Sequence, residues 1–288
     1  IKKGMIRVNN TLEINGLTKT YDRFRLDNIS FSLPEGSIMG FIGENGAGKT
    51  TTIKLILNII RRDEGEIKIF GRDNLIDEAE LKQDIGVVLD DINFPESMTP
   101  RSINKFMRHI YRRWDQHAFF DYLDKFALPQ RKELKSFSRG MKLKLSIAVA
   151  MSHQAKLLIL DEPTSGLDPV VRDEILDIFL EFIQNEQHSI FLSTHITSDI
   201  EKIADYITFI HQGRLVFVEE TNELLNRYGI LKCGLQDFEQ LEPGSVLGYR
   251  KNRFGVEALV ERAMFKGYTV DDASIEDIML FIIRGEKK

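Results

Sequence analysis

The chain has 288 residues, 42% of them hydrophobic and 29% charged, with a formal net charge of −5. That is a globular composition, sized for one large domain or a large and a small one, and it excludes a disordered or fibrous chain. The acidic balance gives nucleic-acid binding no support, and no run of 18 apolar residues offers a membrane span. The single cysteine, Cys233, excludes an internal disulfide or a Cys-rich metal site; it is expected to be a small buried hydrophobe in a reducing cytosol. The basic start Ile1-Lys-Lys-Gly-Met5 has no apolar stretch after it, so a secretory signal is not expected.

In chain order, residues 12–42 read as strands, with clear alternation in Asn28-Ile-Ser-Phe-Ser-Leu33 and a turn at Pro34-Glu-Gly36. Glu66-Ile-Lys-Ile-Phe70 alternates again, 75–84 has helical spacing, and Ile85-Gly-Val-Val-Leu89 is a short buried strand. From about 100 to 155 the pattern is helical: Pro100 suits a first turn, and Ile103, Phe106, Met107 and Ile110 recur at helical spacing. Lys156-Leu-Leu-Ile-Leu-Asp161 is a continuous apolar run, as in a parallel strand covered on both faces. A helix over 170–184, a strand over 189–193, a helix over 197–204 and a strand over 206–210 complete an α/β domain with a largely parallel sheet. Beyond 230 the pattern weakens into a small α+β appendage, with helical patches at about 255–266 and 274–284.

Residues 43–50 read Gly-Glu-Asn-Gly-Ala-Gly-Lys-Thr and fit G-x-x-x-x-G-K-[ST], between the apolar run Ser37–Ile42 and a helical run from Thr51. A loop in that setting aims its backbone N–H groups and a helix N-terminus at one point, where phosphates bind. Lys49 brings a point charge to β- and γ-phosphates, and Thr50 a hydroxyl for Mg²⁺. Asp161 and Glu162 end a sheet strand, where ligands bind in open α/β folds. Asp161 suits Mg²⁺, directly or through water, and Glu162 suits orienting or deprotonating a water. His195 follows another buried strand at the same sheet edge; the five other histidines are scattered, without metal-ligand spacing. Ser138 and Gly140 open a predicted helix and form a second candidate phosphate cap, far along the chain from Lys49.

With these motifs in order, residues 12 to about 220 resemble the ATP-binding subunit of an ABC transporter. The phosphate loop Gly43-Glu-Asn-Gly-Ala-Gly-Lys-Thr-Thr51 carries the family's core; Phe137-Ser-Arg-Gly-Met141 stands where its Leu-Ser-Gly-Gly-Gln signature belongs. Leu157-Leu-Ile-Leu-Asp-Glu-Pro163, Ser165-Gly-Leu-Asp168 and Ser193-Thr-His195 resemble its second nucleotide motif, D-loop and switch histidine. The resemblance implies a P-loop NTPase core with an antiparallel β subdomain and a helical subdomain at about 95–155. It implies an ATP-binding domain over 12–222 and an accessory domain over 223–288. ATP and Mg²⁺ are the implied cofactors. Gly43, Asn45, Gly46, Ala47, Gly48, Lys49, Thr50 and Thr51 are the implied nucleotide loop, and Tyr21 stacks the adenine. Glu162, His195 and Lys49 are the implied catalytic groups, with His195 touching the γ-phosphate and the attacking water. Ser138 and Gly140 serve the ATP of a second ATP-binding subunit, a homodimer being favoured. A separate integral membrane subunit, met at about 90–114 through Phe94, Met98, Phe106 and Ile110, places the chain on the cytoplasmic face of the plasma membrane. The single cassette with its TSGLDP and SRGM segments points to bacterial export.

Two departures stand out. Where the family has Gln after the 85–89 strand, Asp90-Asp91 follows, so either Asp takes that place and Asp90 meets Mg²⁺ or a water. Arg139 replaces a signature Gly and Met141 the final Gln; Arg139 either adds charge at the second cap or is solvated. A non-transport ATPase of the superfamily, regulatory or of the repair type, is the alternative. The repair enzymes' long coiled coil has no counterpart between Lys49 and Ser138, and only one phosphate loop is present, against the two of the translation factors. An unrelated P-loop kinase or GTPase would leave the signature, D-loop and histidine unexplained.

Overall fold

Alternation over residues 28–33, with Ile29, Phe31 and Leu33 buried, fits the first sheet of the computed structural model, which describes residues 9–76, 78–89, 94–242, 244–286 and 288. By contact the chain forms two units: residues up to 196 with 206–218, and residues 197–205 with 219–288.

The first unit contains two sheets. β1 (Asn10–Tyr21), β2 (Phe24–Pro34), β4 (Glu64–Ile69) and β5 (Arg72–Asp73) form an antiparallel sheet in the order β2-β1-β4-β5. β3 (Ile38–Ile42), β6 (Ile85–Val88), β7 (Leu157–Asp161), β8 (Ser189–Thr194), β9 (Tyr206–His211) and β10 (Arg214–Glu220) form the other, in the order β10-β9-β3-β8-β7-β6. The pairs β9-β3, β3-β8, β8-β7 and β7-β6 are all parallel. Every residue of β3, β7 and β8 is buried, as in parallel strands covered on both faces. Phe31 of β2 stacks on Phe41 of β3 and Phe191 of β8, with centroids 5.5 and 5.7 Å away, and joins the two sheets in one core.

The helices of this unit are α1 (Lys49–Ile56), α2 (Glu78–Lys82), α3 (Pro100–Ile110), α4 (Gln116–Lys125), α5 (Arg139–Met151) and α6 (Pro169–Phe182). Side chains cap four of them: Thr99 with Ser102 in a capping box, Asp115, Ser138 and Asp168. The expected apolar stripe of α3 divides: Ile103 and Met107 are buried, whereas Phe106 and Ile110 are exposed. His153, following α5, is buried and stacked on Tyr111, and burial pushes its imidazole pKa down, so it is a core residue.

In the second unit, α7 (Thr197–Ile203), α8 (Thr221–Arg227), α9 (Leu235–Gln240) and α10 (Ile275–Arg284) accompany an antiparallel sheet. Its strands are β11 (Tyr228–Cys233), β12 (Val246–Asn252), β13 (Gly255–Glu261) and β14 (Val270–Asp272), in the order β12-β13-β11-β14. This corrects the expected helix at 255–266. Val256, Ala258 and Val260 alternate into the core, and the stretch pairs with strands on both sides, which outweighs a helical reading of the same apolar residues. Cys233 is half-buried rather than enclosed, because it ends β11, and burial raises its thiol pKa.

α10, capped by Ser274 with Asp277, lies against β12 so closely that a Cβ on Gly248 would stand 2.2 Å from the Phe281 carbonyl oxygen. Gly248→Ala is therefore expected to destabilise this unit by roughly 1–3 kcal/mol, read as a lower denaturant midpoint at unchanged slope. A loss below about 0.5 kcal/mol would mean that α10 can shift to make room.

Candidate active site

The turn out of β3 into α1 forms the phosphate loop. Gly48, the N-cap of α1, has φ 117°, and a Cβ there would stand 3.0 Å from the Phe24 ring. A left-handed conformation and a crowded side both require glycine. Ala47 is buried and its carbonyl accepts from the Gly213 N–H at 3.0 Å, so the β9–β10 turn braces the loop. Asn45, Gly46 and Thr50 are exposed, Gly43 is buried and Thr51 is half-buried, so the loop has both an anchored and an open side.

Lys49 is buried, yet its ammonium is fully engaged. Nζ donates to the Gly43 carbonyl at 2.8 Å and the Glu44 carbonyl at 3.3 Å, and pairs with Glu162 Oε1 at 3.2 Å. Thr50 Oγ1 donates to Asp161 Oδ2 at 2.9 Å, and Ser193 Oγ donates to the other oxygen of the same carboxylate. Glu162 turns back at φ 51°, with its N–H on the Ser193 carbonyl at 2.9 Å. Its Oε2 lies 2.7 Å from His195 Nδ1. A carboxylate oxygen accepts, so the contact is one in which Nδ1–H donates to Glu162. Lys49, Thr50, Asp161, Glu162 and His195 thus meet at the carboxyl ends of β3, β7 and β8, where an open α/β sheet binds ligands.

Tyr21 ends β1 with 44% of its surface exposed and its ring centroid 6.5 Å from that of Phe24. Phe24 in turn packs on Gly48, which connects the β1–β2 turn to the phosphate loop. Ser138 caps α5 by accepting from the Met141 N–H at 3.2 Å. Ser138 and Gly140 line a separate cleft of about 290 Å³ with Gly166, Leu167, Asp168 and Val171. No residue of the phosphate loop lines it, so these two are not brought to Lys49 within the chain. Asp90 and Asp91 lie outside the described residues.

Sequence reasoning missed Phe24 and Ser193. Ser193 stood in view as the first residue of the histidine segment, but nothing local says that a β8 hydroxyl faces the β7 carboxylate. Phe24 carried no signal at all, since its role depends on the hairpin folding onto the loop.

A phosphate loop at the carboxyl ends of a parallel sheet, facing two carboxylates and a histidine, fits a P-loop NTPase of the α/β class. The ABC transporter family model matches residues 26–165. The chain is 36% identical over 211 residues to the bacitracin transport ATP-binding protein BcrA of Bacillus licheniformis, covering 71% of this chain and 68% of that protein. It is 32% identical over 212 residues to the lantibiotic transport ATP-binding protein SrtF of Streptococcus pyogenes, covering 73% and 90%. A solved structure of the ATP-binding subunit of an ABC transporter superposes with a TM-score of 0.66 at 27% identity, over 74% of this chain and 91% of that one. The chain belongs to the ABC transporter family as an ATP-binding, ATP-hydrolysing subunit. Among the described residues no helix is long and apolar enough to cross a membrane.

Proposed function

We propose that two copies of this chain close around two ATP molecules and that this closure drives export through a separate membrane subunit. The observation that carries the reading is that each half of the site is incomplete. The Lys49 side has a lysine, a hydroxyl and two carboxylates; the Ser138–Gly140 side is a helix cap that nothing on the Lys49 side lines. Gly140 supports this. A Cβ there would come no closer than 3.5 Å to the other described residues, and in this reading the close approach that favours glycine comes from the phosphate held by the second copy.

In this reading Lys49, already oriented by two carbonyls, takes the β- and γ-phosphate oxygens together with the loop N–H groups. Glu162 accepts the proton of the attacking water, and His195 holds that carboxylate through Nδ1. Tyr21 offers its exposed ring to the adenine. Thr50 and Asp161 fit Mg²⁺: they are hard oxygen donors in contact, and that ion takes one or two carboxylates and completes its shell with phosphate and water. Bound there, it would neutralise charge on the β- and γ-phosphates.

The names of the two relatives, bacitracin transport and lantibiotic transport, support a cargo of that kind, and the outward direction rests on the single cassette with its TSGLDP and SRGM segments. The exposed Phe106 and Ile110 of α3 offer apolar contacts to the membrane subunit, which would hold the chain at the cytoplasmic membrane face.

Complementation tests the shared site. Chains carrying Lys49→Ala and chains carrying Gly140→Asp are each expected to be inactive. Mixed in equal amounts they form a dimer with one intact site, and should regain at least about a tenth of wild-type ATPase activity. Mixtures no more active than either parent would reject the shared site.

A further inference from the structure

Arg139 is the one signature residue whose chemistry departs most from the small glycine expected there, and its surroundings give it a task. It is the first residue of α5, directly after the cap Ser138. A cation at a helix N-terminus opposes the helix dipole, so helix stability does not account for it. Its guanidinium lies instead against Gly166: a Cβ built there would stand 2.6 Å from Nη1 and 3.3 Å from Cζ. Gly166 has φ +70° and sits in a run of tight turns, with the Ser165 N–H on the Glu162 carbonyl and the Leu167 N–H on the Thr164 carbonyl. The same arginine also lines the larger cleft, of about 540 Å³, whose wall includes Glu162, Pro163 and Ser165.

We infer that Arg139 is a positioning residue that holds the Ser165–Asp168 turn, and through it Glu162, in register with the Ser138 cap of the same chain. The inference rests on the proposed function, in which Glu162 is the base for one ATP and Ser138 caps the other. Arg139 then links the two nucleotide sites within one subunit. A bare helix cap senses only its own phosphate; a cap fastened to the 162–168 segment moves the base when that phosphate arrives. The planar guanidinium suits this contact because it can approach a backbone face closely and offers a rigid fork of donors, which a lysine ammonium does not.

The test is a double-substitution cycle on the full chain, with kcat and KM for ATP measured on Arg139→Gly, Gly166→Ala and their combination, and with melting temperatures checking the fold. Arg139→Gly should lower kcat about tenfold and leave KM within about twofold, as expected when a base is displaced and binding is untouched. Arg139→Lys should behave like Arg139→Gly. Gly166→Ala should cost less kcat in the Arg139→Gly background, because the added Cβ, 2.6 Å from Nη1, then has no guanidinium to displace and only the left-handed backbone remains unfavourable. Additive effects would overturn the inference. So would a raised KM at unchanged kcat with rescue by lysine, which would make Arg139 a direct phosphate ligand for the second ATP. Glu162→Gln, run in parallel, separates the two levels. If it abolishes turnover while the cycle is additive, only the positioning role fails; if it leaves turnover intact, the proposed function fails first.

Discussion

Glu162→Gln should lower ATP turnover about 100- to 10,000-fold while the chain still binds ATP, and should accumulate ATP-bound dimers. The amide keeps the size of the carboxylate and can still meet His195, but it cannot take a proton from water. A second consequence follows from Lys49. The carboxylate stands 3.2 Å from its ammonium, so Glu162 competes with an incoming phosphate for the same cation. Removing that charge frees the lysine and relieves repulsion of the incoming triphosphate, so affinity should rise as turnover falls. Steady-state phosphate release and light scattering with and without MgATP measure both effects. Turnover within about tenfold of wild type, with no ATP-dependent dimer, would remove Glu162 from the role of base.

Lys49→Ala should weaken ATP binding about 10- to 100-fold, the range for losing hydrogen bonds to a charged group. The side chain is 6% exposed and rests on the Gly43 and Glu44 carbonyls, so its position is set before any nucleotide arrives. Its loss also leaves Glu162, mostly buried, facing the phosphates with His195 as its remaining ion-pair partner among the described residues. Repulsion therefore adds to the missing attraction. Titration with a fluorescent ATP analogue reads the change, and an affinity within threefold of wild type would mean that the loop N–H groups alone hold the phosphates.

The phosphate loop, the apolar strands and the capped helices were legible because each is a local pattern. Glycine spacing, unbroken runs such as Leu157–Leu160, and Ser138 before a helix need only near neighbours to be interpreted. The stretch 255–261 was misread for the same reason: its apolar residues fit either period, and only pairing with β11 and β12 selects the strand. Phe106 and Ile110 carried the right spacing for a buried stripe, yet among the described residues both stay exposed.

By itself the sequence determined which groups are available: Lys49, Thr50, Asp161, Glu162, His195, and a second cap at Ser138 and Gly140. Local backbone chemistry dictates those, because a glycine turn, a strand end and a helix cap each form from adjacent residues. Only the tertiary structure decided which of them meet. Thr50 and Asp161 lie 111 positions apart, and Glu162 and His195 lie 33 apart, and each pair is in contact only because parallel strands end at one sheet edge. The same packing set Arg139 against Gly166 and left Ser138 and Gly140 facing a cleft without a phosphate loop of its own.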